Sequence, residues 1–361
     1  MLSKTLRALF LGVALVSLTV ACAGYILLSE IRRPAGGGDE PVEFVVEQGD
    51  STSQIATRLK DEGLIRQPLL FTILVRSQGL EGNLQAGRYL LRPSMTMGEI
   101  IAALQSSRVE EIQITIPEGA RLEEIAQQIG SAGLANITEE EFLRVARDGA
   151  AFQQGHFLLS SLPPGASLEG YLFPDTYRFA VTATVEEVVE TMLRRFDEQY
   201  ASFETEVTVS GVDVHDIVTM ASIVQREAAR EDEMPKIAAV FWNRLKPEHQ
   251  AETGGGKLQA DPTVQYVLGQ RGNWWPKLDT LSAEEINGIA SPYNTRANPG
   301  LPPGPISNPG LAALRAAARP DSSAPYLYFV ASCTNPGAHN FAVTFEEFQR
   351  FEQEYLACAS R

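Results

Sequence analysis

Glu227 is the side chain whose neighbours best suit it to move a proton. It stands in Thr219-Met-Ala-Ser-Ile-Val-Gln-Arg-Glu-Ala-Ala229, where Met220, Ile223 and Val224, with Ile217 just before, recur at helical spacing. Glu227 falls one turn beyond Ile223 and Val224, on the same stripe. A carboxyl held against apolar side chains disfavours its charged form, stays protonated near neutral pH and can act as a general acid. A second reading ends the stripe at Glu227 and turns the carboxylate to water beside Arg230. These eleven residues alone leave both open.

Other acids lie among aromatic and polar neighbours. Ser167-Leu-Glu-Gly-Tyr-Leu-Phe-Pro-Asp-Thr-Tyr177 sets Glu169 and Asp175 beside Tyr171, Phe173 and Tyr177, with Gly170 and Pro174 breaking any regular helix. Such a loop can stack rings on sugar faces, or bury its rings and use its acids as caps. Asp261 precedes Pro262 and is expected to N-cap a helix. His339 reads as structural, since no Ser or Cys nucleophile motif accompanies it. Cys333 and Cys358 suit neither a zinc site nor a redox motif, and would pair only outside the cytoplasm. No metal or cofactor is expected.

The elements that must position these residues can be read from pattern. Residues 8–28 carry no charge and are flanked by Lys4, Arg7, Arg32 and Arg33, long enough for the roughly 20 residues of a membrane span. A retained anchor over 1–33 is therefore expected, with export of the rest of the chain. Leu18-Thr-Val-Ala-Cys22 only faintly matches a lipoprotein box. Residues 34–42 form a Gly-rich tether. The 361-residue chain has a net charge of −15, which argues against nucleic acid as a partner.

Beyond the tether, Val42–Val46 reads as a strand. Ser51 with Gln54 makes a capping box for a helix through Asp61, and helices over 69–76 and 97–104 flank a strand over 87–91. Gly49, Ile55, Ala56, Leu59, Gly63 and Leu64 recur 70 residues later as Gly119, Ile125, Ala126, Ile129, Gly133 and Leu134. Thr138 with Glu141 suggests another capping box. Helices are expected over 185–199, from Asp232 to Leu245 and over 344–356, with a strand over 326–330. The Pro/Gly-dense run 291–310 contains Tyr293, Leu301 and Ile306 and is expected to be an ordered cleft wall.

Residues 43–107 resemble a LysM module, a small βααβ fold that binds N-acetylglucosamine-containing glycans in other proteins. The longer pattern is more specific. Glu169-Gly-Tyr-Leu-Phe-Pro-Asp-Thr-Tyr177, Ala221-Ser-Ile-Val-Gln-Arg-Glu-Ala228, Val240-Phe-Trp-Asn-Arg-Leu245, Leu258-Gln-Ala-Asp-Pro-Thr263, Tyr293-Asn-Thr295 and Gly300-Leu-Pro-Pro-Gly-Pro-Ile306 stand in the order of the endolytic murein transglycosylases, the MltG or YceG-like family. The resemblance implies an α+β chain: a transmembrane helix, a LysM-like module and a mixed α+β catalytic domain over 108–361. It implies lytic cleavage of MurNAc–GlcNAc bonds in nascent glycan strands, leaving 1,6-anhydro-MurNAc ends and terminating elongation. Glu227 is then the catalytic acid and base. Gln225 stands where the family often has a second acid, and Ala260 where a small hydroxyl residue is frequent. Glu169, Tyr171, Asn243, Gln259, Asp261, Thr263, Tyr293 and Asn294 are expected to position substrate. The implied partners are peptidoglycan strands, the membrane through 8–28, and cell-wall synthesis proteins. The implied location is the cytoplasmic (inner) membrane, single-pass, with the catalytic domain on the periplasmic side. A muramidase using Asp261 or Glu169 as second carboxylate, and a non-catalytic glycan-binding scaffold, are the competing readings.

Overall fold

The computed structural model describes residues 22, 25, 29–105 and 111–359. The expected anchor over 8–28 lies outside them, apart from Cys22 and Tyr25. Among the described residues no single helix is long and apolar enough to cross a membrane. The chain is α+β and divides into two compact units: residues 1–111 with 180–182, and the remainder.

The first unit runs strand–helix–helix–strand–helix. Strand β1 (Val42–Val46) pairs antiparallel with β2 (Gly87–Leu91), Phe44 opposite Tyr89. Alternation along β1 sends Phe44 and Val46 inward. They meet Ile55 and Leu59 of α1 (Thr52–Asp61), Phe71 of α2 (Pro68–Ser77) and Ile100 and Leu104 of α3 (Met97–Gln105) in one apolar core. The capping box at the start of α1 is present, with Ser51 and Gln54 exchanging backbone bonds.

The second unit opens with the same order. Strand β3 (Glu111–Thr115) precedes α4 (Leu122–Ser131), α5 (Glu139–Ala146) and β4 (Thr176–Ala180), which pairs with β3. Helix α4 lies 70 residues after α1 at both ends (122 against 52, 131 against 61). Gly63 and Gly133, just past these helices, take φ of 72° and 91°, the left-handed conformation that ends a helix cheaply only at glycine. At α5, Thr138 accepts from the Glu141 N–H. β4 sends Tyr177 and Phe179 inward, but its first two residues fall within the 167–177 segment that Gly170 and Pro174 mark as a loop.

Helices α6 (Val185–Tyr200) and α7 (Glu204–Ser210) come next, then α8 (Val214–Glu227), which runs through the centre of the unit. Sequence periodicity shows α8 as a stripe, but residues 217–224 are buried on every side. Helix α12 (Leu311–Ala318) packs on it through small residues, and α9 (Met234–Leu245), α10 (Asp261–Leu268) and α11 (Ala283–Gly288) complete the surroundings. Three boundaries differ from expectation. Residues 231–233 form a single 3-10 turn before α9 starts at Met234. Ala260, not Asp261, is the N-cap of α10; Asp261 is its first helical residue, where Pro262 fixes φ for the first turn. The strand expected over 326–330 begins at Tyr328, as β5 (Tyr328–Ala331), and pairs antiparallel with β6 (His339–Ala342), a strand too short to anticipate.

The Pro/Gly-rich run is ordered. The Ile306 N–H donates to Ser222 Oγ at 3.0 Å, the Ser307 hydroxyl to the Ser222 carbonyl at 3.2 Å, and residues 302 and 304–310 are buried. The last helix, α13 (Phe345–Ala359), packs on β5 (Tyr328–Ala331) and β6. A disulfide joins Cys333, after β5, to Cys358 in α13, their Cα atoms 6.4 Å apart. His339 is structural: its Nδ1 lies 2.9 Å from the Glu233 carboxylate.

Candidate active site

Glu227 closes α8 at the wall of a cavity of about 380 Å³. It is the last helical residue because Ala228 turns extended, φ −77° and ψ 123°. The buried run before it pins the helix, so the carboxyl is fixed where the helix ends. Among the described residues no donor or cation stands within hydrogen-bonding distance of it. Partial surface remains open through the cavity, yet burial pushes its pKa up to about 8; the Asp261 charge adds to the rise and Arg296 opposes it.

Asp261 and Arg296 face this cavity together. Arg296 Nε donates to Asp261 Oδ1 at 2.7 Å, and Nη2 approaches the same carboxylate oxygen. Gln259 also lines it, in a conformation unusual for a side-chain-bearing residue, φ +58°. Its backbone N–H donates to the Thr295 carbonyl at 3.1 Å, and its amide oxygen accepts from Arg244 Nη2 at 2.6 Å. Arg244 is itself buried, donating to the Lys257 and Leu327 carbonyls. Burial lowers its pKa to about 10. Tyr328, Phe329, Phe345 and Phe348 supply an apolar wall opposite these polar groups.

The residues expected to bind substrate divide three ways. Gln259 and Asp261 join Glu227 at this cavity. Glu169 and Tyr293 line a separate one of about 370 Å³. Tyr171, Asn243, Thr263 and Asn294 line neither. Tyr171 is fully buried, its hydroxyl 2.9 Å from His215 Nδ1. With Phe173 and Tyr177 also buried, the 167–177 loop packs its rings inward and offers no ring face to a sugar. Asn243 donates to the Ala324 and Tyr326 carbonyls. Thr263 meets Thr295 at 2.8 Å, tying α10 to the following loop. Asn294 spans that loop, donating to the Ile286 and Ile289 carbonyls.

Glu169, 3% exposed, sits at the N-terminus of α4. The Leu122 N–H donates to both its oxygens at 3.0–3.1 Å, and Asn308 Nδ2 adds a bond at 2.8 Å. Burial pushes its pKa up to about 8, against the Leu122 bond. Gln225 accepts the Gly310 N–H at 2.9 Å, so the position beside Glu227 is tied to the Pro/Gly-rich segment.

Sequence reasoning missed Arg296, Arg244 and the ring wall as parts of the site. Arg244 lies within the 240–245 segment and Arg296 directly after 293–295. The only signal for Arg296 was a cation in a Pro/Gly context with no acid at helical spacing, and for Arg244 a cation at the end of an otherwise apolar helix.

The profile of the YceG-like family matches residues 44–354. The endolytic murein transglycosylase of Bacillus subtilis (strain 168) is 33% identical over 327 residues, covering 88% of this chain and 85% of that protein. The endolytic murein transglycosylase of Streptococcus pneumoniae serotype 2 (strain D39) is 31% identical over 332 residues, 86% of this chain but 58% of that longer relative. A crystal structure of a yceG-like protein from Listeria monocytogenes superposes with a TM-score of 0.56 at 32% identity, covering 86% of this chain and 99% of the other.

Proposed function

The chain belongs to the YceG-like family, and from that premise we propose that it is an endolytic peptidoglycan lytic transglycosylase with Glu227 as its acid and base. The observation that carries the assignment of Glu227 is its carboxyl: half-buried, without a protein partner among the described residues, raised to about 8, and open to a cavity. Such a group holds its proton at neutral pH until a leaving group arrives.

The chemistry turns on that one proton. Glu227 gives it to the glycosidic oxygen between MurNAc and GlcNAc, and the bond to MurNAc C1 breaks through an oxocarbenium-like state. The Asp261 charge that raises the Glu227 pKa also favours this positive centre. The MurNAc C6 hydroxyl, already in the same sugar, attacks C1 and closes the 1,6-anhydro ring. The Glu227 carboxylate accepts the C6 hydroxyl proton and is ready again. No water enters the cycle, so a second free carboxylate is unnecessary. Asp261, bonded to Arg296, is a poor candidate for a water-activating base, which favours the lytic reading over a muramidase.

In this reading residues 1–33 anchor the chain in the cytoplasmic membrane, 34–42 tether it, 43–107 form a LysM-like module and 108–361 the catalytic domain on the outer face. The strand–helix–helix–strand order of the first unit supports the module, and the Cys333–Cys358 disulfide supports an oxidising compartment. Cell-wall synthesis proteins are the partners such a placement brings within reach. Full-length protein incubated with peptidoglycan tests the function by mass spectrometry of the products. Anhydro-MurNAc ends are expected; reducing MurNAc ends would establish a muramidase, and an active Glu227→Gln variant would remove Glu227 from its role.

A further inference from the structure

Helix α2 is apolar on two opposite faces. Phe71 and Val75 point into the core of the first unit and are fully buried. Leu69 and Ile73 stand two positions before them, about 200° round the helix, and are 70% and 48% exposed. Leu70 and Leu74, half-buried, flank this outer face. The two hydroxyls of the helix turn back onto its own backbone: Thr72 donates to the Pro68 carbonyl at 3.1 Å and Ser77 to the Leu74 carbonyl at 2.9 Å. Little polarity is left to meet water. A helix that is hydrophobic all round is at rest when every face is covered, and the core of the first unit covers only one.

The charge around this face is opposite to that of the whole chain. Residues 63–80 contain Arg66 and Arg76 and no Asp or Glu, in a chain whose net charge is −15. Arg66 is exposed with no acidic partner among the described residues, and Arg76 is exposed with Glu81 beside it at 2.6 Å. An acidic chain is repelled by an anionic surface except where such a patch faces it. The tether leaves the first unit little freedom. The Gly36 N–H donates to the Pro93 carbonyl at 2.9 Å and the Ser94 hydroxyl to Asp39 at 3.0 Å, so the tether lies against the unit it leads into. Only Pro34 and Ala35 stand between Arg33 and the first of these bonds, about 10 Å of chain at full extension. The unit is therefore held close to whatever membrane residues 1–33 enter.

We infer that the outer face of α2 docks on the anionic phospholipid surface of the membrane that anchors the chain. Leu69 and Ile73 enter the boundary between headgroups and acyl chains, and Arg66 and Arg76 meet headgroup phosphates. The inference rests on the proposed anchor over 1–33. A face this small binds a bilayer weakly by itself; the anchor makes its docking an intramolecular event and so lets it persist. The first unit then lies on the leaflet instead of turning about its tether.

The test places full-length protein, with Cys22→Ser, in vesicles of phosphatidylglycerol and phosphatidylcholine. A single fluorophore is attached through Ile73→Cys or, as control, through Thr57→Cys, an exposed position on α1. Lipids that carry a quencher at headgroup depth should quench the label at 73 and spare the label at 57. Arg66→Gln should lower the ratio of docked to free α2, read from that quenching, about fivefold. Leu69→Asn should lower it about tenfold. Both variants should keep the wild-type Tm, since neither side chain belongs to the core of the first unit. Equal quenching at 73 and 57, or quenching at 73 that ignores Leu69→Asn, overturns the docking. Equal quenching on phosphatidylcholine alone overturns the anionic surface. Quenching between labels that grows with protein density, in place of quenching by lipid, would put a second copy on this face and overturns the lipid assignment. Protein that does not float with the vesicles at all would instead sink the anchor over 1–33.

Discussion

Asp261 and Arg296 are bonded to each other and act on Glu227 with opposite signs. The carboxylate raises the Glu227 pKa and the guanidinium lowers it, while burial supplies the larger part of the rise to about 8. The carboxylate has the larger effect of the two, so the pair adds to a shift that burial has already made.

That relationship predicts the basic limb of the pH–activity profile. Activity should fall as pH rises through about 8, where Glu227 loses its proton in the folded protein. Asp261→Asn removes the raising charge and should move the limb to lower pH; Arg296→Met should move it to higher pH. Initial rates of anhydro-end release across pH 5 to 10 check this. Limbs unmoved in both variants would show that Glu227 does not titrate in turnover.

Stability should carry the same signature. A carboxyl raised on folding binds more protons in the native than in the unfolded state between its unfolded value near 4.5 and its folded value near 8. Stability is thus fullest below 4.5 from this group and is lost as pH rises to 8. Glu227→Gln cannot lose a proton. Its Tm should match wild type at low pH and exceed it increasingly toward pH 8, while cleavage is abolished. Calorimetric scans at pH 5 and pH 8 decide the matter.

Gln259 holds φ +58° at the cavity wall. A left-handed residue with a Cβ costs about 1–2 kcal/mol that glycine does not pay. Gln259→Gly should therefore be more stable than Gln259→Ala by about 1 kcal/mol, measured by urea unfolding. Both should lose activity, because Arg244 no longer has its amide partner at 2.6 Å.

Helix α13 brings Phe345, Phe348 and Glu352 to the Glu227 cavity, and its far end is fastened by Cys333–Cys358. A loop with a sequence separation of 25 places this bond's contribution at about 3 kcal/mol. The double Ser variant should lower Tm accordingly and raise KM more than it lowers kcat, since it loosens a wall and leaves the acid in place. Wild type treated with a thiol reductant should behave as the variant does.

The local features were legible in the sequence because they depend on spacing. The Ser51–Gln54 capping box, the paired glycine stops of α1 and α4, and Glu227 at the end of an apolar helix each involve residues no more than a few turns apart. Periodicity also pointed to burial around Glu227, though it showed one stripe where the fold covers every side. The role of Tyr171 could not be read this way. An aromatic beside an acid suits a sugar platform and a core equally, and only the packing of His215 and Phe196 on its ring decides for the core.

By itself the sequence determined that a carboxyl stands at the end of an apolar helical stripe, and in which order the motifs around it stand. The tertiary structure alone decided which groups share its cavity. Arg296 meets Asp261 across 35 residues of chain, Tyr266 reaches Glu169 across 97, and Asn308 reaches it across 139. No local period encodes such contacts: they arise when separate elements bury their apolar faces against one another, and the polar groups carried inward must then find partners among whatever the packing brings near.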